Sequence, residues 1–400
     1  YYKQMARILG KQLLQMPVFI GIAAILTFFS CKPAEPDTTS LKKEIVTAYA
    51  QVVFATYEDA LTTAKLLQTA VDTFLNNPTE LNLKAAQKSW KTARAFYGQT
   101  EVFRFYDGPI DNGETRVEGL LNAWPLDEVY VDYVVGEPNA GIINKVQEYP
   151  EITRELLVSL NEKGGEENIS CGYHAIEFML WGQDVSDKKP GQRPYTDFIP
   201  GTVSNDRRRT FLQLNTSLLI EHLTKLCDAW QPGKTDNYAA KFLSENPDNA
   251  LQKILTGMGV LSKVEMAGER MFTAYDNASQ EDEQSCFSDN TKADLQNNIG
   301  GIINAYFGNY VRFDKSNIQS AGIDDLVRIN HPELADSTEL LLKKCNNDIQ
   351  NMYYPFDQAI VLENKREQVM KAILTTQQLG EQFSIIASTL GITINVNAAD

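Results

Sequence analysis

Histidine is scarce in this chain: His174, His222 and His331 are the three in 400 residues. A catalytic zinc commonly takes two histidines and a carboxylate, so histidine-rich metal chemistry has little to draw on. Neither His-Glu-x-x-His nor its inverse occurs, because Phe178 follows Glu177 where the inverse would need a third ligand. No Gly-x-Ser-x-Gly is present, and the neighbours Cys171 and His174 lack an evident orienting third group. Positive charge is also short. With Lys3, Arg7 and Lys11 set aside, 34 basic residues face 52 acidic ones, a net charge near −18. That balance argues against nucleic acid as a partner and attracts cations diffusely. Beyond the N-terminus no apolar run reaches about eighteen residues, the length of a spanning helix. Strand-like alternation is rare too, with 129–135 the single plausible extended stretch.

What the N-terminus does contain is a basic start followed by the apolar run Met16–Ser30 and then Cys31. A short apolar region, a small residue and a cysteine is the pattern of a bacterial lipoprotein signal, here 1–30, with Cys31 as the lipidated residue. An ordinary secretory peptide is the alternative, and Phe28 and Phe29 are bulkier than the lipoprotein signal usually carries. The expected location is the cell envelope, with membrane contact through the lipid alone. Export permits disulfides, and Cys171, Cys227, Cys286 and Cys345 allow three full pairings. A Cys171–Cys286 bridge would join two segments that carry motifs.

Helical periodicity runs through nearly all of the rest. Residues 41–76 place Ile45, Tyr49, Val52, Val53, Tyr57, Leu61 and Leu66 on an apolar stripe, and Asn77-Pro78-Thr79 ends that helix and caps one over 81–104. Further helices are expected over 151–162, 171–182, 206–230, 247–275, 291–306, 335–351 and 355–388. The fold class is all-α. The length favours two helical bundles, 41–205 and 206–400, after a linker at 31–40. Two long excursions, 105–150 and 182–205, read as structured loops.

The clearest chemical signal is Cys171-Gly172-Tyr173-His174-Ala175-Ile176-Glu177. A His and a Glu three apart share one helix face, so an imidazole nitrogen and a carboxylate can aim at one point. The bland reading is a buried His bonded to its neighbouring acid. A second stripe holds Trp90, Arg94, Tyr97 and Glu101, where an Arg94–Glu101 pair competes with a ligand role for Glu101. Glu265 and Glu269 lie four apart beside Arg270, which can supply the charge between them. Glu281-Asp282-Glu283 followed by Ser288-Asp289-Asn290-Thr291 is either an acidic ligand segment or a solvated loop that caps a helix.

Taken together, Trp90 with Arg94, FYDGPID (105–111), NAWPL (122–126), Gly-x-His-x-x-Glu (172–177) with Trp181-Gly182, GERM (268–271) and EDEQSCFSDNT (281–291) resemble the imelysins. These bacterial proteins are classed as M75 peptidases and related to iron-uptake lipoproteins. The resemblance spans most of the mature chain. It implies an all-helical fold of two related bundles, a site between them, an envelope location and a link to iron. It carries over His174, Glu177, Glu101 and the segment 281–291. Gln284 stands where family members often have a His, which would remove one nitrogen ligand or supporting contact.

Three functions follow. The first is an envelope lipoprotein that binds iron or an iron-bearing ligand for uptake or sensing. Its ligands are His174 and Glu177 with some of Glu101, Glu281, Asp282, Glu283 and Asp289, supported by Gly172, Arg94, Glu269, Arg270, Ser288, Asn290 and Thr291. One imidazole among carboxylates suits iron or manganese better than zinc or calcium. The second is an M75-type metallopeptidase, for which no complete zinc ligand set is visible. The third is a metal-free peptide- or polymer-binding module, with Phe105, Tyr106 and Trp124-Pro125 lining its cleft.

Overall fold

The computed structural model describes residues 37–113 and 117–397. The apolar run Met16–Ser30 and Cys31, the expected lipid acceptor, lie outside the described residues. The chain opens with a long helix, α1 (Thr39–Asn76), that buries the expected stripe from Ile45 to Leu61. Leu66 departs from that stripe. It faces solvent, and Leu67 is buried in its place, because five residues from Leu61 carries a side chain round to the other face.

Helix α2 (Glu80–Gly98) starts where Thr79 Oγ1 accepts a hydrogen bond from Asn82 N at 3.2 Å, an N-cap. It stops six residues before the expected end at Arg104, and a 3₁₀ turn covers Glu101–Phe103. Asn298 donates its side-chain amide to the Gly98 carbonyl at 2.9 Å, so a distant side chain takes the acceptor that a continuing helix would use.

The 105–150 excursion folds into short helices: α3 (Val117–Asn122), α4 (Glu128–Val131) and α5 (Gly141–Asn144), with α6 (Arg154–Leu160) beyond. The stretch 129–135 is therefore half helical turn, because Asp127 caps Val129 N at 3.1 Å; an isolated bridge pairs Val134 with Glu137. Next come α7 (Gly172–Trp181), α8 (Val203–Trp230), α9 (Tyr238–Ser244) and α10 (Pro247–Val260). Helix α10 continues without a break through a π-helical segment, Leu261–Thr273, into α11 (Ala274–Asn277).

After α12 (Thr291–Phe307), an unforeseen hairpin pairs β1 (Asn309–Val311) with β2 (Asn317–Gln319) in antiparallel register. Helices α13 (Ile323–Asn330) and α14 (Pro332–Gln350) follow. The expected helix over 355–388 divides at Leu362 into α15 (Phe356–Val361) and α16 (Glu363–Thr389).

The fold is all-α, with that small hairpin as its sheet among the described residues. Helix α1 packs on α2 and α8, while α16 packs on α10, α14 and the π-helical segment. Contacts of α2 with α12 and of α1 with α10 join these two groups into one continuous apolar core. Residue 205 falls in the first turn of α8. The four cysteines from Cys171 onward are free thiols, so the Cys171–Cys286 bridge is not made. Cys171 is buried in the core at the start of α7, whereas Cys286 sits half-buried in the turns before α12.

Candidate metal centre

Helix α7 owes its position to a glycine. Gly172 has φ 87°, and a Cβ there would lie 2.5 Å from the Leu121 carbonyl oxygen, so no other residue lets α7 begin this close to α3. Two residues on, His174 is buried, 1 % exposed, with its Nδ1 2.8 Å from Glu177 Oε2. The other carboxylate oxygen of Glu177 accepts the Ser288 N–H at 3.0 Å and its hydroxyl at 2.6 Å. Lys91 in turn donates to the Ser288 carbonyl at 2.8 Å. A residue 111 positions away thus fixes the orientation of Glu177, which fixes the imidazole. His174 Nε2 has no partner and is fully enclosed.

Burial, and then the Arg94 guanidinium, push the His174 imidazole well below its ordinary 6.5. Burial also raises the Glu177 carboxyl, to about 8, against the stabilising hydrogen bonds from Ser288. A neutral imidazole is the form that ligates metals.

The second stripe is buried as expected, but its partners differ. Arg94 pairs with Asp294 of α12 at 3.1 Å and donates to Asn122 Oδ1; it makes no pair with Glu101. Asn122 bridges the two, donating to Glu101 Oε1 at 2.8 Å. Glu101 Oε2 receives Arg270 at 2.8 Å and Arg104 at 3.2 Å. Burial would raise the Glu101 carboxyl, yet Arg270, Arg104 and Arg94 overcome it and hold it down to about 2. Both oxygens of Glu101 are committed to protein cations and an amide.

Arg270 also reaches Glu265 at 3.1 Å and Asn298 at 2.8 Å, while Glu269 is exposed. The two acids differ in their partners: Glu265 is half-buried against Arg270, whereas Glu269 reaches solvent on the same cleft wall.

The segment 281–291 scatters. Glu281 is exposed and Asp282 half-buried, while Glu283, Gln284 and Ser288–Thr291 are buried. Ser288 serves Glu177. Asn290 donates to Asp294 at 2.9 Å, and Thr291 Oγ1 accepts Ser285 N at 3.2 Å, so both organise the turn that feeds α12. Gln284 is buried with neither side-chain polar atom paired. Asp289 and Glu283 lie with Asp184 and Asp357. Sequence reading missed Asn122, Asp294, Asp184 and Asp357. Asn122 opens a motif that was noted, but nothing local marks the others, because each gains its role from a residue on a distant element.

Beside this network runs a cleft of about 330 Å³ whose wall includes Glu118, Glu162, Glu166, Glu265, Glu269 and Asp282 against Arg104, the single cation lining it among the described residues. Asn122, Trp124 and Pro125 complete it, so Asn122 links the cleft wall to the Arg94–Asp294 pair. An adjoining cavity of about 640 Å³ carries Phe105 and Tyr106 and shares Arg104, Glu118, Glu162 and Glu265. No helix among the described residues is long and apolar enough to cross a membrane.

The imelysin (peptidase M75) family model matches residues 53–386. A curated relative, iron-regulated protein A of Synechococcus elongatus, is 25% identical over 329 residues, 80% of this chain and 78% of its own. Two crystal structures share the fold. A Parabacteroides distasonis protein designated an iron-regulated protein A precursor superposes with a TM-score of 0.70 at 20% identity, covering 89% of this chain and 96% of its own. An imelysin-like protein from Psychrobacter arcticum gives 0.65 at 14% identity, covering 91% and 100%.

Proposed function

From a chain that belongs to the imelysin family, we propose an envelope lipoprotein that binds iron, or a ligand bearing iron, with His174 as its nitrogen donor. One observation carries the reading: His174 Nε2 is buried and unpartnered while Nδ1 is tied to Glu177, itself held by Ser288. A cation on Nε2 would ionise Glu177, so that it accepts from Nδ1–H, and a carboxylate that orients a histidine in this way is the usual support of a metal-ligating imidazole. An orphaned ring nitrogen in the core otherwise costs free energy with no return. Glu177 supports the ligand rather than adding a second one.

The relative's name, iron-regulated protein A, supports iron as the metal. Because Glu101 and Asp294 are already neutralised by arginines, the protein contributes few ligands of its own. The remaining positions fall to water or to a carrier. The carboxylate-lined cleft beside Asn122 favours a cationic species and disfavours an anionic carrier.

Elemental analysis and iron titration of the chelator-treated full chain, with His174→Ala beside it, test the reading. Saturable iron binding that His174→Ala abolishes is the expected result. Equal iron uptake by both, or none by either, overturns it. The anchor is tested separately: Cys31→Ala should leave the membrane fraction, and its retention there would reject lipidation at that residue.

A further inference from the structure

We infer that Asp184, Asp289 and Asp357 form a second metal site, one that takes a hard, oxygen-seeking divalent cation of calcium's size. The three side chains each offer an oxygen, and these oxygens all lie within 4.8 Å of one another. They arrive from three separate places: the loop after α7, the turn before α12 and the start of α15.

Acidic groups often cluster at surfaces without a ligand, but these are not at the surface. Asp184 is 5 %, Asp289 4 % and Asp357 2 % exposed. Asp184 Oδ2, Asp289 Oδ1 and both oxygens of Asp357 are enclosed with no hydrogen-bond partner. Glu283, equally buried, abuts Asp357, and the two carboxyls can share one proton, which leaves Asp184 Oδ2 and Asp289 Oδ1 still without a donor. A buried carboxylate without a partner is costly, and several together repel one another unless a cation lies between them.

The contrast with Glu101 and Asp294 is direct, since arginines pair with those acids, whereas among the described residues this group has no ion pair and Lys91 acts on Asp289 only at longer range. An all-oxygen set excludes a preference for soft or nitrogen-seeking metals. Calcium accepts irregular sets of oxygen ligands, whereas magnesium demands a near-ideal octahedron, so carboxylates arriving from three separate segments suit calcium better.

The position gives the cation a task. Asp289 follows Ser288, whose N–H and hydroxyl hold Glu177, and Asp184 follows the helix that carries His174. A cation bound by the three aspartates would clamp these loops and steady the histidine centre without touching it. It draws Asp289 away from the iron ligands.

The test uses the detergent-solubilised full chain after chelation, titrated with calcium and followed by calorimetry and by thermal melting, with magnesium as competitor. One calcium per chain and a raised melting temperature are expected. Asp357→Asn should weaken calcium binding by about tenfold or more. The same substitution should raise the melting temperature in chelator, because it removes a repelling charge, and lower it in calcium. That reversal distinguishes a lost ligand from a damaged fold. His174→Ala should leave calcium affinity unchanged while iron binding is lost, so the two sites fail separately. Absence of saturable calcium binding, stronger binding of magnesium, or unaltered affinity in Asp357→Asn would each overturn the site.

Discussion

Two groups of buried acids lie within this protein, and they are balanced in opposite ways. Glu101 and Asp294 sit among Arg94, Arg104 and Arg270, with Asn122 and Asn290 donating to the acids and Asn298 accepting from Arg270. Asp184, Asp289, Asp357 and Glu283 are also buried, at 2–5 % exposed, yet have unpaired oxygens. Both groups are buried and of the same residue types; the partner differs. An acid whose charge is met by an arginine is part of the framework. An acid that forms no ion pair with the protein, as here where Lys91 acts on Asp289 only at longer range, points to a cation from outside. His174 belongs with the second group in this respect, since its free Nε2 is also an unanswered polar atom.

The largest expected effect breaks the arginine-balanced side. Arg270→Met leaves Glu101 buried with fewer partners, so unfolding in urea should show a loss of about 3–5 kcal/mol. A loss below about 1 kcal/mol would mean that solvent or Arg104 replaces Arg270, and that the framework reading is wrong.

The pH dependence is next. The Glu101 carboxyl falls from 4.5 to about 2 on folding, so its ionised form is favoured in the native state. The resulting stabilisation, about 3 kcal/mol, is complete above about pH 4.5 and disappears as the pH falls through about 2. Glu101→Gln should flatten the acid limb of the stability curve in that window. A wild-type curve already flat there would contradict the balance described.

A smaller effect sharpens the role of Glu177 as support. Glu177→Gln should weaken iron binding by about tenfold to a hundredfold, less than His174→Ala, as read by titration. Identical losses in the two variants would make Glu177 a direct ligand. The smallest effect calibrates the rest. Lys343 and Glu339 pair one turn apart on the exposed face of α14, and Lys343→Ala should change stability by less than about 0.5 kcal/mol.

Much of the helical layout was legible because the signals are local. Apolar spacing marked α1, α8, α10 and α12, and Thr79 announced the start of α2. The family followed from motifs spread along the chain and agrees with the match over 53–386. What escaped was set by distant partners. Helix α2 ends early because Asn298 takes its terminal carbonyl, and Arg270 pairs with Glu265 but also with Glu101 of a distant element. Arg94 was weighed against Glu101 on its own helix face, and it found Asp294, 200 residues away.

The sequence by itself determined that this is a helical, acidic, histidine-poor imelysin with one His-x-x-Glu pair, because periodicity, charge and motif spacing are properties of the chain. The tertiary structure decided which acids are neutralised, that Ser288 holds Glu177, and that Asp184, Asp289 and Asp357 converge. Those outcomes depend on which side chains meet across the packed helices, and a buried charge takes its meaning from the group that meets it.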